Sequence, residues 1–408
     1  MVRKRRSPMA NWQTKTIKEI AVLIKDGTHG THKDVEEGIA LLSAKDIDGG
    51  KVNVAPDSRV ISEADFNAIH ARYSLKDGDI LLTIVGSLGR VAIVTNYANN
   101  YTFQRSVAIL RFNNEVDTSY AYYYLTSSIF QKELLKRESK GAQGGVYLGD
   151  ISKIKINIPE KPEQERIVGV LEVWDEYIEK LEQKIALKEQ LKKGLMQQLL
   201  TGKRRLPGFE GDWQKLKLSD IAKIRKGTQL NRSTLSENMA GLNKYAVING
   251  GITPSGYTDT ANTKAGAITI SEGGNSCGYV NYIKEDFWLG GHCYEIINNQ
   301  KVDQIYLYPF LKANQSKIMS LRVGSGLPNI QKSSLENLKV LLPETKKEQE
   351  ELGLIMLHSV TEIEQLSEKL QIMKLQKKYL LKNLITGTIR TPEDLQPLDT
   401  SRLERSAL

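Results

Sequence analysis

The chain has 408 residues, 40% hydrophobic and 26% charged, the balance of a folded protein too long for one ordinary core. Two cysteines, Cys277 and Cys293, form no CxxC pair and argue against a disulfide framework or a zinc ribbon. No apolar run approaches the ~20 residues of a membrane helix, so a cytoplasmic protein with no membrane partner is expected. A net charge of +9 suits a polyanion, most often nucleic acid, but is equally compatible with an idle basic surface until the organisation of the chain is read.

The first ten residues, MVRKRRSPMA, are basic without the apolar stretch of a signal peptide. From there the chain is written twice. NWQTKTIKEIA (residues 11–21) returns as DWQKLKLSDIA (212–222), and the Gly-Thr turn KDGT (25–28) as RKGT (225–228). INIPEKPEQERI (156–167) is answered by VLLPETKKEQEEL (340–352). Residues 163–202 and 348–387 align without a gap, with roughly a third of positions identical. The period is half the chain, so the repeat is a domain followed by a helix, not a solenoid.

The first part of each copy mixes short strand-like runs, ILLTIVG (80–86), VAILRF (107–112) and KIKINIP (153–159), with Gly-rich turns. TSYAYYYLTSSIFQKELLK (118–136) has helical spacing with Thr118 as a possible cap, and QIYLYPFLKANQSKIMSL (304–321) matches it. Mixed α/β domains are expected. The second part is a long helix. Pro159 and Pro343 end a strand, EQE opens an acidic first turn, and Gly202 or Gly387 closes the helix. One apolar stripe is Ile178, Leu181, Ile185, Leu195 and Leu199, interrupted by Lys188 and Lys192. The other is Ile363, Leu366, Leu370, Met373, Leu380 and Leu384, interrupted by Lys377. Heptad spacing asks for a partner helix, and the alternative is packing on the helix's own domain. The simplest burial runs the two helices antiparallel as a coiled coil. That would set the domains at opposite ends of a rod of ~60 Å, with a pseudo-two-fold axis inside one chain.

These features resemble the DNA specificity subunit of type I restriction–modification systems, over residues 12–390. The resemblance rests on the proline-to-EQE helix starts (159–165 and 343–350), the LLTG and LITG helix ends, and LPGFEGDW (206–213). It implies a basic extension (1–10), a first target recognition domain (11–158), a helical spacer (159–205), a second recognition domain (206–342), a second spacer (343–390) and a tail (391–408). It further implies that the chain does no chemistry and binds no cofactor. Its partners would be double-stranded DNA, two copies of an adenine methyltransferase subunit carrying S-adenosylmethionine, and up to two restriction subunits using ATP and Mg. A protein-binding scaffold with two heads on a rod, without sequence-specific DNA contact, is the alternative. A self-contained modifying or cleaving enzyme is a third reading.

Motifs for that third reading are absent. There is no GxxxxGK[ST] loop, no Asn-Pro-Pro-aromatic motif and no glycine-rich cofactor loop. GSLGRV (86–91) reads as a turn, HGTH (29–32) as a loop without a third metal ligand, and His292 with Cys293 as buried structural residues. DNA readers should be polar loop side chains: Arg to guanine, Asn or Gln to adenine, Lys, Ser and Thr to phosphate. In the first domain the candidate residues are Lys25, Thr28, His29, Lys33, Lys45, Ser87, Arg90, Lys140 and Gln143, on loops 25–33, 43–46, 86–90 and 137–145. In the second they are Arg225, Lys226, Thr228, Gln229, Arg232, Asn275 and Arg322, on loops 225–232, 249–257, 271–276 and 322–329.

Overall fold

No side chain of the strand Ile80–Thr83 is exposed, because its sheet is covered on both faces. In the computed structural model, which describes residues 11–71, 73–139, 144–202, 204–324, 326 and 328–395, this strand lies in an antiparallel sheet ordered Ala21–Asp26, Val107–Phe112, Ile80–Thr83, Val91–Ile93. Side chains alternate across a strand. Ile80, Leu82, Ala108 and Leu110 therefore enter a core with Tyr120, Tyr124 and Phe130, whereas Leu81, Val107 and Ile109 meet Leu42 and Phe103 on the other side. Two-sided burial is what makes ILLT and VAIL read as unbroken apolar runs. The second core is closed by a small sheet, Val60–Ile61, Ile39–Leu42, Tyr101–Phe103, whose last two strands are parallel.

Residues 212–342 repeat the plan. The four-stranded order is Ala222–Lys226, Cys293–Asn298, Ala267–Ser271, Val280–Ile283, and the small sheet is Tyr257–Thr258, Tyr245–Ile248, Trp288–Leu289, again with a parallel last pair. In each copy a two-stranded ribbon, Gln13–Thr16 with Lys155–Ile158 or Gln214–Lys217 with Lys339–Leu342, leads into a long helix. The fold is the mixed α/β internal repeat that the sequence suggests. The helix expected over 118–136 is two, Thr118–Thr126 and Ser128–Leu135. Ser127 breaks it, turning extended and lending its hydroxyl to the amide of Phe130. Asp117, not Thr118, caps the first piece, accepting from the Tyr120 amide at 2.9 Å. Its counterpart is likewise split at Asn314, into Gln304–Ala313 and Gln315–Met319.

The long helices are Lys161–Leu199 and Lys346–Ile385, and past their ends Gly202 and Gly387 take positive φ, +68° and +67°, where glycine is unstrained. The chain divides into two units, residues 1–180 with 370–408, and residues 181–369, so each unit holds one domain and part of both helices. Within the first unit Glu163 and Asp175 contact Arg390 and Lys377 respectively; within the second, Lys188 and Arg205 contact Glu362 and Glu348. Numbers rise on one side as they fall on the other, so the helices run antiparallel in each unit. Ile178, Leu181, Leu199, Ile363 and Leu384 are buried, and Ile185, Leu195, Leu366, Leu370, Met373 and Leu380 are half-buried. Lys188 and Lys377, two of the lysines that interrupt the stripes, form ion pairs between the helices, Lys188 with Glu362 at 2.7 Å.

At the start of each helix the first glutamate of EQE is buried and clasped. Glu163 receives Arg390 Nε and Nη2 (2.5 and 2.7 Å) and Trp12 Nε1 (3.0 Å), with the guanidinium 5.7 Å from the Trp12 ring centre. Glu348 receives Arg205 Nε and Nη2, both at 2.7 Å, and Trp213 Nε1 at 3.3 Å, again with the guanidinium 5.7 Å from the indole. The glutamine that follows fastens the helix to its domain. Gln164 donates to the Pro159 and Glu115 carbonyls and accepts from the Asp117 amide; Gln349 donates to Pro343 and Lys301 and accepts from Asp303. The repeated basic segment after each helix thus supplies one arginine to the other helix. Replacing Arg205 by Ala strands the carboxylate of Glu348, which is 1% exposed, and should destabilise the second unit by about 3 kcal/mol in chemical denaturation. Arg205→Lys should recover only part of that, because an ammonium cannot make the forked contact.

Candidate nucleic-acid interface

The Gly-Thr turn of each domain is bent against the backbone of the small parallel sheet. A Cβ on Gly27 would lie 2.1 Å from the Phe103 carbonyl oxygen, and one on Gly227 2.2 Å from that of Gly290. Only glycine permits the approach. It brings Thr28 to donate its amide to Phe103 (2.8 Å) and accept from the Arg105 amide (3.0 Å). Gln104 donates to Leu42, and the Ser106 hydroxyl accepts from the Ala44 amide at 3.0 Å. Ile84 donates to the Ser106 carbonyl and accepts from Val146. The four loops expected in the first domain are therefore tied around one segment, Gln104–Arg105–Ser106, which the sequence reading passed over. Gln104 and Arg105 are exposed, and Arg105 lines a hollow of about 270 Å3 with Asp26, His29, Val85, Ser139 and Tyr147.

In the second domain the matching segment is Gly290–Gly291–His292. Thr228 donates to Leu289, Gly290 to Ile248, His292 to the Asn249 side chain (3.0 Å), and Glu272 to the His292 carbonyl (2.9 Å). The Glu272 carbonyl accepts from Ile330, and Gly273 bridges Asn329, so all four loops again converge. His292 is exposed, which corrects the expectation of a buried pair. Cys293 is buried, and that burial raises its thiol to about 12.

The named side chains divide into exposed and engaged. Lys25, Lys33, Lys45, Ser87, Thr228, Arg232, Asn275 and Arg322 are exposed on these loops or at their bases. Gln229 is exposed but bonds the neighbouring Leu230 carbonyl. Thr28 accepts or donates with His32 (2.9 Å), whose other ring nitrogen meets Asp65 (3.0 Å), and His29 lies 2.5 Å from Asp26. Hydrogen bonds from His32 and Ser62 hold the Asp65 carboxyl below the ordinary carboxylate range. Arg90 is turned inward onto the Ile47 carbonyl (3.0 Å), since β-strand neighbours present that carbonyl to it. Arg225 is held by Glu295 and Thr263 (2.6 and 2.7 Å), and Lys226 by Glu272 (2.7 Å). Lys140 and Gln143 lie outside the described residues. Among the described residues no group of three or more His, Cys, Asp and Glu could hold a metal, and no helix is long and apolar enough to cross a membrane.

Three comparisons bear on this arrangement. The family model for the type I restriction modification DNA specificity domain matches residues 9–193 and again residues 210–381. A protein of Methanocaldococcus jannaschii described as the MjaX specificity subunit of a type I restriction enzyme is 26% identical over 409 residues, covering 93% of this chain and 94% of its own. Among solved structures, the S subunit of a type I restriction–modification system from M. genitalium superposes with TM-score 0.68 at 20% identity, over 94% of this chain and 98% of that one. A chain from a structure of type I complex assembly and conformational transition superposes with TM-score 0.55 at 17% identity, over 92% and 98%. The geometry makes Arg105 and Gln104 testable: Arg105→Ala should weaken binding to some duplex sequences and not others, read by competition against a randomised duplex pool, whereas Lys33→Ala should weaken all equally.

Proposed function

The chain belongs to the type I restriction–modification DNA specificity family, and from that premise we propose that its two domains read the unlike halves of a split DNA target while the long helices fix the unread gap and seat the methyltransferase subunits. The observation that carries this reading is a single scaffold used twice with different tips. Sheet order, Gly-Thr turn and converging loops recur, yet the segment at the centre is Gln104–Arg105–Ser106 in one domain and Gly290–Gly291–His292 in the other. A carboxamide and a guanidinium suit adenine and guanine edges. Two glycines and an imidazole cannot make the same contacts, so the half-sites differ.

The helices offer the surface for partner subunits. Leu187 and Leu191 on the first, and Ile372, Leu375 and Tyr379 on the second, are spaced by three and four residues and are exposed, the pattern of a helix that accepts further helices. Two methyltransferase subunits bring S-adenosylmethionine, and up to two restriction subunits bring ATP and Mg. The chain holds no cofactor and contributes recognition and assembly, not chemistry.

Mapping methylated adenines in a host carrying the complex should give a two-part motif with a fixed gap. Exchanging residues 104–106 for Gly-Gly-His should alter one part only, and a single uninterrupted motif would overturn the reading. Adding one heptad to both helices, about 10 Å of helix axis, should widen the gap; a gap indifferent to the insertion would remove the helices as its ruler.

A further inference from the structure

Outside the recognition loops, the second unit carries a cleft of about 760 Å3. Its walls are the last turns of the first long helix, the Gln214–Lys217/Lys339–Leu342 ribbon and the helices Gln304–Ala313 and Gln315–Met319. Six of the lining residues are lysines, Lys192, Lys193, Lys215, Lys312, Lys317 and Lys339, and none is a carboxylate. Lys312 is tethered at the back, donating to the Val280 carbonyl (2.7 Å) and Gln315 (3.2 Å) with its ammonium 4.1 Å from the Tyr279 ring centre. Burial pulls its pKa down, opposed by Glu364 and reinforced by Lys192. No ion pair among the described residues engages the other five.

The fold does not ask for this charge. In the ribbon Lys217 lies directly opposite Lys339, and Lys215 opposite Leu341; like charges facing each other across strands are destabilising. At the same register of the first unit the pairs are Thr16 with Lys155 and Thr14 with Asn157, the latter joined by a 2.9 Å hydrogen bond. The position matching Lys312, nine residues after the capping aspartate, is Thr126 there. One ribbon and one helix pair thus serve both units: Lys192, Lys193 and Lys339 recur in the first unit as Lys377, Lys378 and Lys155, whereas Lys215 and Lys312 stand where the first unit has Thr14 and Thr126. The cleft also adjoins the reading loops of the second domain. Gly278 packs directly on Met319, where a Cβ would lie 2.8 Å from the Met319 Cα, and three residues on stands the exposed Arg322.

We propose that this cleft grips the phosphate backbone of duplex DNA beside the bases read by the second domain, adding affinity without sequence preference. The inference rests on the DNA-specificity reading above. Lysine is a compact point charge that suits phosphate and lacks the fork that reads base edges. Lysine is also depleted in protein–protein interfaces, so a nucleic acid fits this lining better than the face of a partner subunit.

The test uses the full chain with Lys192→Gln, Lys215→Gln, Lys317→Gln and Lys339→Gln together, beside the matching four-arginine variant and with a thermal melt of each. Lys312, which is packed, stays unchanged. Binding to a target duplex and to an unrelated duplex is followed from about 0.05 to 0.3 M salt. Each lost phosphate contact should flatten the slope of log K against log salt by about 0.9, so by roughly 2–4 in all. Both duplexes should weaken by the same factor, the preference between them should stay, and the arginine variant should restore binding. An unchanged slope in a folded variant overturns the proposal. So does a loss of methyltransferase association with DNA binding intact, which would make the cleft a partner surface, or displacement by a free nucleoside triphosphate with the slope unaltered. If the parent chain itself shows no preference between the duplexes, the specificity reading fails, and that result is distinct because the slope is read on either duplex.

Discussion

A carboxylate buried in the first turn of a helix has to be neutralised, and in this chain the cation comes from just beyond the end of the other long helix. Glu163 holds Arg390 and Glu348 holds Arg205 through the same pair of forked contacts, each beside the equivalent tryptophan, Trp12 or Trp213. Removing a group of this kind from water is costly unless its partner arrives in good geometry. Each clasp therefore fixes the level at which the second helix passes the first within its unit. Gln164 and Gln349, one residue along, fix the same helix turn to the domain beneath it through three backbone groups each. Domain, helix start and the neighbouring helix end are locked at one point.

What the lock supports is a sheet buried on both sides, and that burial explains how the loops can vary. The central strands Ile80–Thr83 and Ala267–Ser271 have no exposed residue, so the cores supply cohesion without help from the loops. The Gly-Thr turns then need only a glycine small enough to meet a backbone carbonyl. Everything farther out is free of core duties. The two domains accordingly keep the same skeleton and carry Gln-Arg-Ser in one place and Gly-Gly-His in the other.

The two halves also diverge in charge where the skeleton is silent. The ribbon that begins each domain buries Ile156 and Ile158 or Val340 and Leu342 on its inner face. Its outer face can hold a neutral threonine–asparagine pair or a row of lysines with little effect on the core. A duplicated fold thus has room for asymmetry in both reading and gripping, because neither task draws on the residues that fold it.

The repeat, the two long helices, their glycine stops and the loop-rich domains were legible in the sequence, because each is set by local rules: heptad spacing, positive φ at Gly202 and Gly387, proline at a strand end. The partners of those elements were not. Lys188 and Lys377 read as faults in an apolar stripe, since the acids that complete them stand on the other helix, Glu362 and Asp175. Arg205 and Arg390, just past the glycine stops, show no partner in the sequence for the same reason. The helix over 118–136 read as continuous because nothing in its spacing reveals that Ser127 turns extended. Gln104–Arg105–Ser106 carries no turn signature, and its central place arises only when a parallel strand and four loops meet around it. Arg90 and Arg225 looked free to read bases until the fold set the Ile47 carbonyl and Glu295 within their reach. Sequence alone determined the long helices, their glycine stops and that the domains come twice, since those follow from neighbours along the chain. Tertiary structure decided which charges are paired and which face solvent, since a long-range ion pair depends on distance in space that spacing along the chain does not encode.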